Sequence, residues 1–321
     1  MTIFCMFPGQ ASQFVGMGKD LYTEFPLVKS FFDRASSRLG FDLAELCFED
    51  PKSQLALTQF TQPALLTLST AVWFLHLEKN EIKDVIFAGH SLGEYSALVA
   101  AEVISFEEAV SLVHKRGQLM QEAVAPGEGG MSALLFKKGT AGAVESQAIC
   151  REVSEKSQSC LVPANYNSPE QVVVSGTKVA LGFLSENYKN YSCIRKVVPL
   201  EVSAPFHSPL MHDASQIFKK HLEDCTFEFS GRFSESSFIP NVSGEIGQIK
   251  NWCKEEMVDS LVRQFASSVL WQQSVEKAIE AGASSASEFG AGKVLSGLLR
   301  RINFNQKQID GCQFGEVGDF K

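Results

Sequence analysis

Residues 85–103 read VIFAGHSLGEYSALVAAEV, and how this stretch turns decides the fold. Val85-Ile86-Phe87-Ala88 is a short β-branched and aromatic run, the composition of a buried strand. Leu92 through Ala101 is rich in helix formers. Between them, Gly89-His90-Ser91-Leu92-Gly93 has the G-x-S-x-G spacing. After a strand and before a helix, that spacing marks a sharp turn that pushes a serine hydroxyl out at the top of a sheet. The glycines let the chain reverse and let the flanking elements pack closely. The same turn aims the N–H of Leu92 at whatever stands before the hydroxyl. The plainer alternative is an ordinary βα turn with an incidental serine. Ser91 is the expected nucleophile.

The 321 residues suffice for one large domain or two. At 45% hydrophobic and 21% charged, the composition is ordinary for a soluble enzyme. A net charge of −8, with pI near 5.4, argues against nucleic acid as the main partner. No apolar run approaches the length of a membrane span, so no membrane partner is expected. MTIFCMFPGQ at the start has neither a basic n-region nor a long apolar h-region, and a cytoplasmic location is expected. The eight cysteines are scattered, with no C-x-x-C and no paired Cys/His spacing. They read as reduced residues, and no metal is expected.

Residues 1–127 alternate strand-like and helix-like segments, the pattern of an α/β layer fold. Thr2–Phe7 is a first strand. FTQPALLTLSTAVWFLHLEKN is a long helix, with Thr61 as its cap and Pro63 in its first turn. Ser105 and Glu108 give the next helix an S-x-x-E capping box. From 128 to 199 the rhythm becomes β-α-β-β-α-β, a ferredoxin-like order, with Gly127-Glu128-Gly129-Gly130 as the hinge into it. After Pro199 the α/β character returns. The expected organisation is a large domain of 1–127 and 200–302, an inserted small domain of 128–199, and a frayed tail at 303–321.

A nucleophilic serine needs a base. Of six histidines, His76, His114 and His221 lie in helical segments, and His90 is constrained by the turn it shares with Ser91. His207, in the irregular SAPFHSPLM before a helix, is the choice, against the alternative of a loop histidine capping a turn. No acid is marked as a third member. A backbone carbonyl can fix the imidazole tautomer in its place. Arg116 is the most informative residue after Ser91. Ala109, Leu112, Val113, Arg116 and Met120 fall on one apolar helical stripe. A buried guanidinium keeps its proton and demands an anion. That anion is either an internal carboxylate or a carboxylate on the substrate. FPGQASQFVGMG follows the first strand. If the first two strands are parallel neighbours, the Gln10 and Leu92 N–H groups can form an oxyanion hole, although a plain glycine-rich loop would read the same way.

Taken in order, FPGQASQFVGMG, TQPALL, GHSLGEYSALVAA, RGQLMQEA, NSPEQVVVSG, FHSPLM and GAGKVLSGL resemble the malonyl-CoA:acyl-carrier-protein transacylase family. They are also similar to the acyltransferase domains of polyketide synthases. The matches span about residues 3–302, nearly the whole chain. The resemblance implies an α/β-hydrolase-like large domain, with a parallel sheet and an inserted ferredoxin-like subdomain. It implies Ser91 as the acyl carrier, His207 as the base and Arg116 as the holder of the free malonyl carboxylate. Gln10 and Leu92 would be the oxyanion donors. Gln264 would supply the carbonyl that orients the histidine, and Met120 and Phe206 would line the acyl pocket. Ala11 stands where the family commonly has glycine, and Ala291 where it often has proline.

The resemblance further implies no bound cofactor, malonyl-CoA as substrate, acyl carrier protein as partner and a monomer. Malonyl would pass through a serine ester to a phosphopantetheine thiol, supplying extender units for fatty-acid synthesis. A polyketide-pathway acyltransferase, a serine esterase or thioesterase, and a non-catalytic docking subunit are the competing readings.

Overall fold

The computed structural model describes residues 2–125, 127–202, 204–302 and 309–320. β1 (Ile3–Phe7) is followed by α1 (Lys19–Glu24), α2 (Pro26–Leu39), α3 (Leu43–Phe48) and the long α4 (Thr58–Lys79). Next come β2 (Val85–Gly89), α5 (Gly93–Ala100) and α6 (Phe106–Glu122). Then β3 (Gly129–Phe136), α7 (Gly142–Ser157), β4 (Leu161–Ser168), β5 (Gln171–Thr177), α8 (Lys178–Asn187) and β6 (Ile194–Pro199) follow the β-α-β-β-α-β order. The remainder holds α9 (His212–Glu223), β7 (Ser237–Phe238), β8 (Gly247–Gln248), α10 (Lys254–Ala266), α11 (Trp271–Glu280), β9 (Ser285–Phe289), α12 (Val294–Leu299) and β10 (Asp310–Phe314).

The strands form two separate sheets. One has the order β10-β9-β1-β2-β7-β8, parallel except for β8. The other is antiparallel, with the order β4-β5-β3-β6. Side chains of β1 alternate between two cores. Cys5 and Phe7 join the core that includes α2, α4 and α6, while Phe4 and Met6 pack with Trp271, Val275 and Ile279 of α11. A parallel strand covered on both faces must be apolar at successive positions, which is why β1 and β2 read as unbroken apolar runs. The antiparallel sheet has its own core of Leu134, Phe136, Ile149, Val153, Val174 and Leu184.

Packing of α4 on α6 positions the site. A Cβ on Gly117 would lie 2.6 Å from the Gln59 Cα, so glycine is what lets the two helices approach. Pro63 lacks the N–H that would bond the Gln59 carbonyl four residues back. The Nδ1 of His114 occupies that carbonyl instead, at 2.8 Å. His114 is thus a structural repair of the proline break.

Three expectations are corrected. Thr61 does not cap α4. The helix begins at Thr58 after Leu57, and the Thr61 hydroxyl bonds back to the Leu55 and Leu57 carbonyls from inside the first turn. The hinge is shorter than read, because Gly129 and Gly130 already pair with β5. The frayed tail is overturned where it is described. β10 pairs in parallel with all of β9, and Phe320 is buried. Phe314 stacks on Phe289 at 5.2 Å, so two aromatic residues anchor a segment whose polar composition suggested a free end. Residues 303–308 lie outside the described ones. The Ser105 cap stands as read, with Ser105 Oγ accepting from the Glu108 N–H at 3.3 Å.

Candidate active site

Ser91 sits on a turn that only its glycines allow. A Cβ on Gly89 would lie 1.9 Å from the Gly93 carbonyl carbon, and one on Gly93 would lie 1.9 Å from the Phe7 oxygen. Both glycines therefore buy close backbone contact between β1, β2 and α5. Ser91 itself has φ 52°, in the left-handed region that costs a β-carbon-bearing residue about 1 kcal/mol. The cost is offset by Asn241. Its Oδ1 accepts from the Ser91 N–H at 2.7 Å, and its Nδ2 donates to the Gly89 carbonyl at 2.6 Å.

β1 and β2 are parallel neighbours with Phe7 opposite Gly89, so the loops that follow them emerge at the same sheet edge. The condition set for Gln10 and Leu92 is met. Among the described residues, neither N–H donates to a protein acceptor. Ala11, at the family's glycine position, has φ 82°. The left-handed turn that favours glycine is kept, with an alanine forced into it.

His207 is buried, with only 4% exposure, although it lies in a loop. Its Nε2 is 2.7 Å from Ser91 Oγ and its Nδ1 is 2.9 Å from the Gln264 carbonyl oxygen. A carbonyl only accepts, so Nδ1 carries the proton and Nε2 is free to accept from the serine hydroxyl. Burial, followed by the nearby Arg116 charge, lowers the His207 pKa to about 3.

Arg116 is 1% exposed on α6, in the stripe with Ala109, Leu112, Val113 and Met120, all buried. Its Nη1 donates to Gln62 Oε1 at 3.0 Å. Its Nη2 donates to Gln264 Oε1 at 2.8 Å and to Ser91 Oγ at 3.2 Å. The guanidinium lies over the Tyr95 and Phe265 rings, 5.2 and 5.7 Å from their centroids. Among the described residues, no carboxylate forms an ion pair with it. The internal salt bridge considered from sequence is therefore not what holds this charge. Met120 is buried on the same face of α6, its Sδ 3.6 Å from Gln62 Nε2, the side chain that also meets Arg116. Phe206 is buried next to His207 in the main core.

Sequence reasoning missed Asn241, Gln62 and Glu94. Glu94 follows Gly93 in α5 and is fully buried. Its Oε2 accepts from Gln264 Nε2 at 3.0 Å and from the Asn241 N–H at 3.2 Å. Burial pushes its carboxyl up to about 8, against the hydrogen bond from Gln264 and the Arg116 charge. It stands inside the quoted GHSLGE stretch, so its position was legible while its burial was not. His90 Nε2 meets Asn167 Oδ1 of β4 at 2.8 Å, tying the antiparallel sheet to the turn that carries Ser91. Among the described residues, the site thus holds a hydroxyl, an imidazole with Nε2 facing it, two N–H groups with no protein acceptor and a buried cation with no carboxylate ion-paired to it.

A scan against family models matches residues 4–287 to the acyl transferase domain. The malonyl CoA-acyl carrier protein transacylase of Bacillus subtilis (strain 168) is 41% identical over 307 residues, covering 95% of this chain and 91% of that one. The solved structure of an acyl carrier protein S-malonyltransferase from Vibrio cholerae O1 biovar eltor superposes with a TM-score of 0.88 at 37% identity. The alignment covers 99% of this chain and 98% of that one. A malonyl-transacylase solved in complex with a type II PKS acyl-carrier protein superposes with a TM-score of 0.89 at 36% identity, covering 100% and 98%. Among the described residues, no helix is long and apolar enough to cross a membrane.

Proposed function

The chain belongs to the acyl transferase domain family, and from that premise we propose that it moves malonyl from malonyl-CoA to the phosphopantetheine thiol of acyl carrier protein, through an ester on Ser91. The transfer supplies extender units for fatty-acid synthesis. The single observation that carries the malonyl assignment is Arg116, a buried cation 3.2 Å from Ser91 Oγ with no carboxylate among the described residues ion-paired to it. A malonyl group on the serine would place its free carboxylate there, and a guanidinium fork matches that geometry.

Ser91 Oγ attacks the thioester carbon while its proton passes to His207 Nε2. The Gln264 carbonyl holds the opposite ring N–H and stabilises the imidazolium that forms. The Gln10 and Leu92 N–H groups receive the oxyanion, each contributing on the order of 3 kcal/mol. The carbon–sulfur bond breaks, and His207 returns the proton to the departing coenzyme A sulfur. The carrier thiol then gives its proton to His207 and attacks the ester, and Ser91 leaves as the restored hydroxyl. No metal or cofactor enters these steps. We read 128–199 as a ferredoxin-like insertion in an α/β-hydrolase-like domain of 1–127 and 200–302. The strand order β4-β5-β3-β6, with α7 and α8 beside it, supports that reading.

Arg116→Ala tests the assignment. Truncating one member of a buried charge pair costs roughly 2–5 kcal/mol, so kcat/KM for malonyl-CoA should fall by about 30-fold or more relative to acetyl-CoA. Acetyl has no carboxylate to lose. An unchanged ratio in a protein of lowered melting temperature would reject the clamp.

The His207 environment sets a second test. Its pKa near 3 keeps the base neutral well below the ordinary histidine range. An unperturbed histidine, with pKa near 6.5, would lose about 30-fold of its neutral form by pH 5. The single-turnover acylation rate should instead stay within about twofold between pH 7 and pH 5. A fall with a midpoint between pH 6 and 7 would show that the imidazole titrates normally.

A further inference from the structure

Among the described residues, Glu94 is the one buried acid at this site, and the mechanism above does not use it. Its partners show what it does. A guanidinium only donates, so the Gln264 carboxamide must turn its oxygen toward Arg116 and its NH2 the other way. On that other side are two acceptors, the Ser91 carbonyl at 2.7 Å and Glu94 Oε2 at 3.0 Å. The same Glu94 oxygen takes the N–H of Asn241, whose side chain clasps the nucleophile turn at Ser91 N and Gly89 O. One oxygen thus joins the clamp side and the nucleophile side of the site. With it removed, the Gln264 amide keeps a single acceptor for its NH2, and the flipped amide would present two donors to the guanidinium.

We propose that Glu94 is a positioning residue for acyl selectivity: its carboxyl oxygen locks the Gln264 carboxamide, and the locked amide oxygen aims Arg116 at the carboxylate of a dicarboxylic acyl group. This rests on the Arg116 clamp proposed above. The role needs an accepting oxygen, not a charge. No direct ion pair with Arg116 is present among the described residues, and glutamine at 94 would offer the same acceptor to Gln264 and Asn241. Glu94 Oε1 has no hydrogen-bond partner among the described residues, so the position that an amide NH2 would take is already unpartnered.

The test uses the full chain with one carrier protein and two substrates, malonyl-CoA and acetyl-CoA. Glu94→Ala should lower the malonyl-over-acetyl ratio of kcat/KM by about tenfold or more, mainly through a raised KM for malonyl-CoA. Glu94→Gln should restore the ratio to within about threefold of the parent protein. Should the alanine protein not fold, Glu94→Met keeps the volume without the acceptor and carries the same expectation. In an Arg116→Ala background, Glu94→Ala should leave the already lowered ratio where it is. Equal losses for both acyl groups, or a glutamine variant as unselective as the alanine one, would reduce Glu94 to a structural part and overturn the inference. An Arg116→Ala protein with unchanged selectivity would instead remove the clamp itself. An altered Arg116→Ala ratio beside a normal Glu94→Ala ratio would leave the clamp standing and overturn only the role of Glu94.

Discussion

Ser91→Ala yields a protein that takes up no malonyl group when mixed with malonyl-CoA, where the parent protein gains the mass of one. The proposed ester has one attachment point, since Ser91 Oγ is the oxygen held 2.7 Å from His207 Nε2. Folding should survive the change. Alanine meets the same left-handed backbone at φ 52° that serine does, and the Asn241 side chain binds the backbone of the turn rather than the hydroxyl. Intact-protein mass spectrometry after brief mixing reads the result directly. Equal labelling of the alanine variant would move the nucleophile elsewhere and with it the whole mechanism.

Loss of the base comes second in size. His207→Ala should slow acylation of Ser91 by about 100- to 10,000-fold, the range that a positioned general base contributes. A serine hydroxyl is a weak acid, and Arg116, its other neighbour, is a donor that cannot take the proton. The backbone at 207 has φ 57°, so His207→Asn, a residue that tolerates this region, should reproduce the loss with less strain. Rapid-quench measurement of the malonyl-enzyme on both variants, beside their melting temperatures, separates chemistry from folding. An unchanged acylation rate in either folded variant would assign the proton transfer to another group.

These residues differ in how readable they were. Ser91 could be read because the G-x-S-x-G spacing is local and Gly89 meets the Gly93 backbone within five residues, although Gly93 itself is required by the Phe7 backbone of β1. Arg116 could be read because a charge in an apolar helical stripe breaks the 3.6-residue pattern. Loop position picked out His207, but not that its side chain is buried against α10 through Gln264. The polar tail was misread because β10 has few apolar residues. As the outermost strand it pairs with a single neighbour, and Phe314 and Phe320 supply its packing.

The amino-acid sequence alone determined the local pattern: a serine on a glycine turn, an arginine in an apolar stripe, a loop histidine, and elements of the right type in the right order. Only the tertiary structure decided what these groups meet. Gln264 reaches Arg116 across 148 positions, Asn241 reaches the Ser91 N–H across 150, and Gln62 reaches Arg116 across 54. No periodicity links residues so far apart. Asparagine, glutamine and glutamate are usually exposed, so nothing in their own neighbourhoods marks them as buried. What buries them is the closing of α4, α6 and α10 around the end of the parallel sheet. There each donor or acceptor taken out of water must find a partner, and in the proposed mechanism those partners set which proton moves and which acyl group fits.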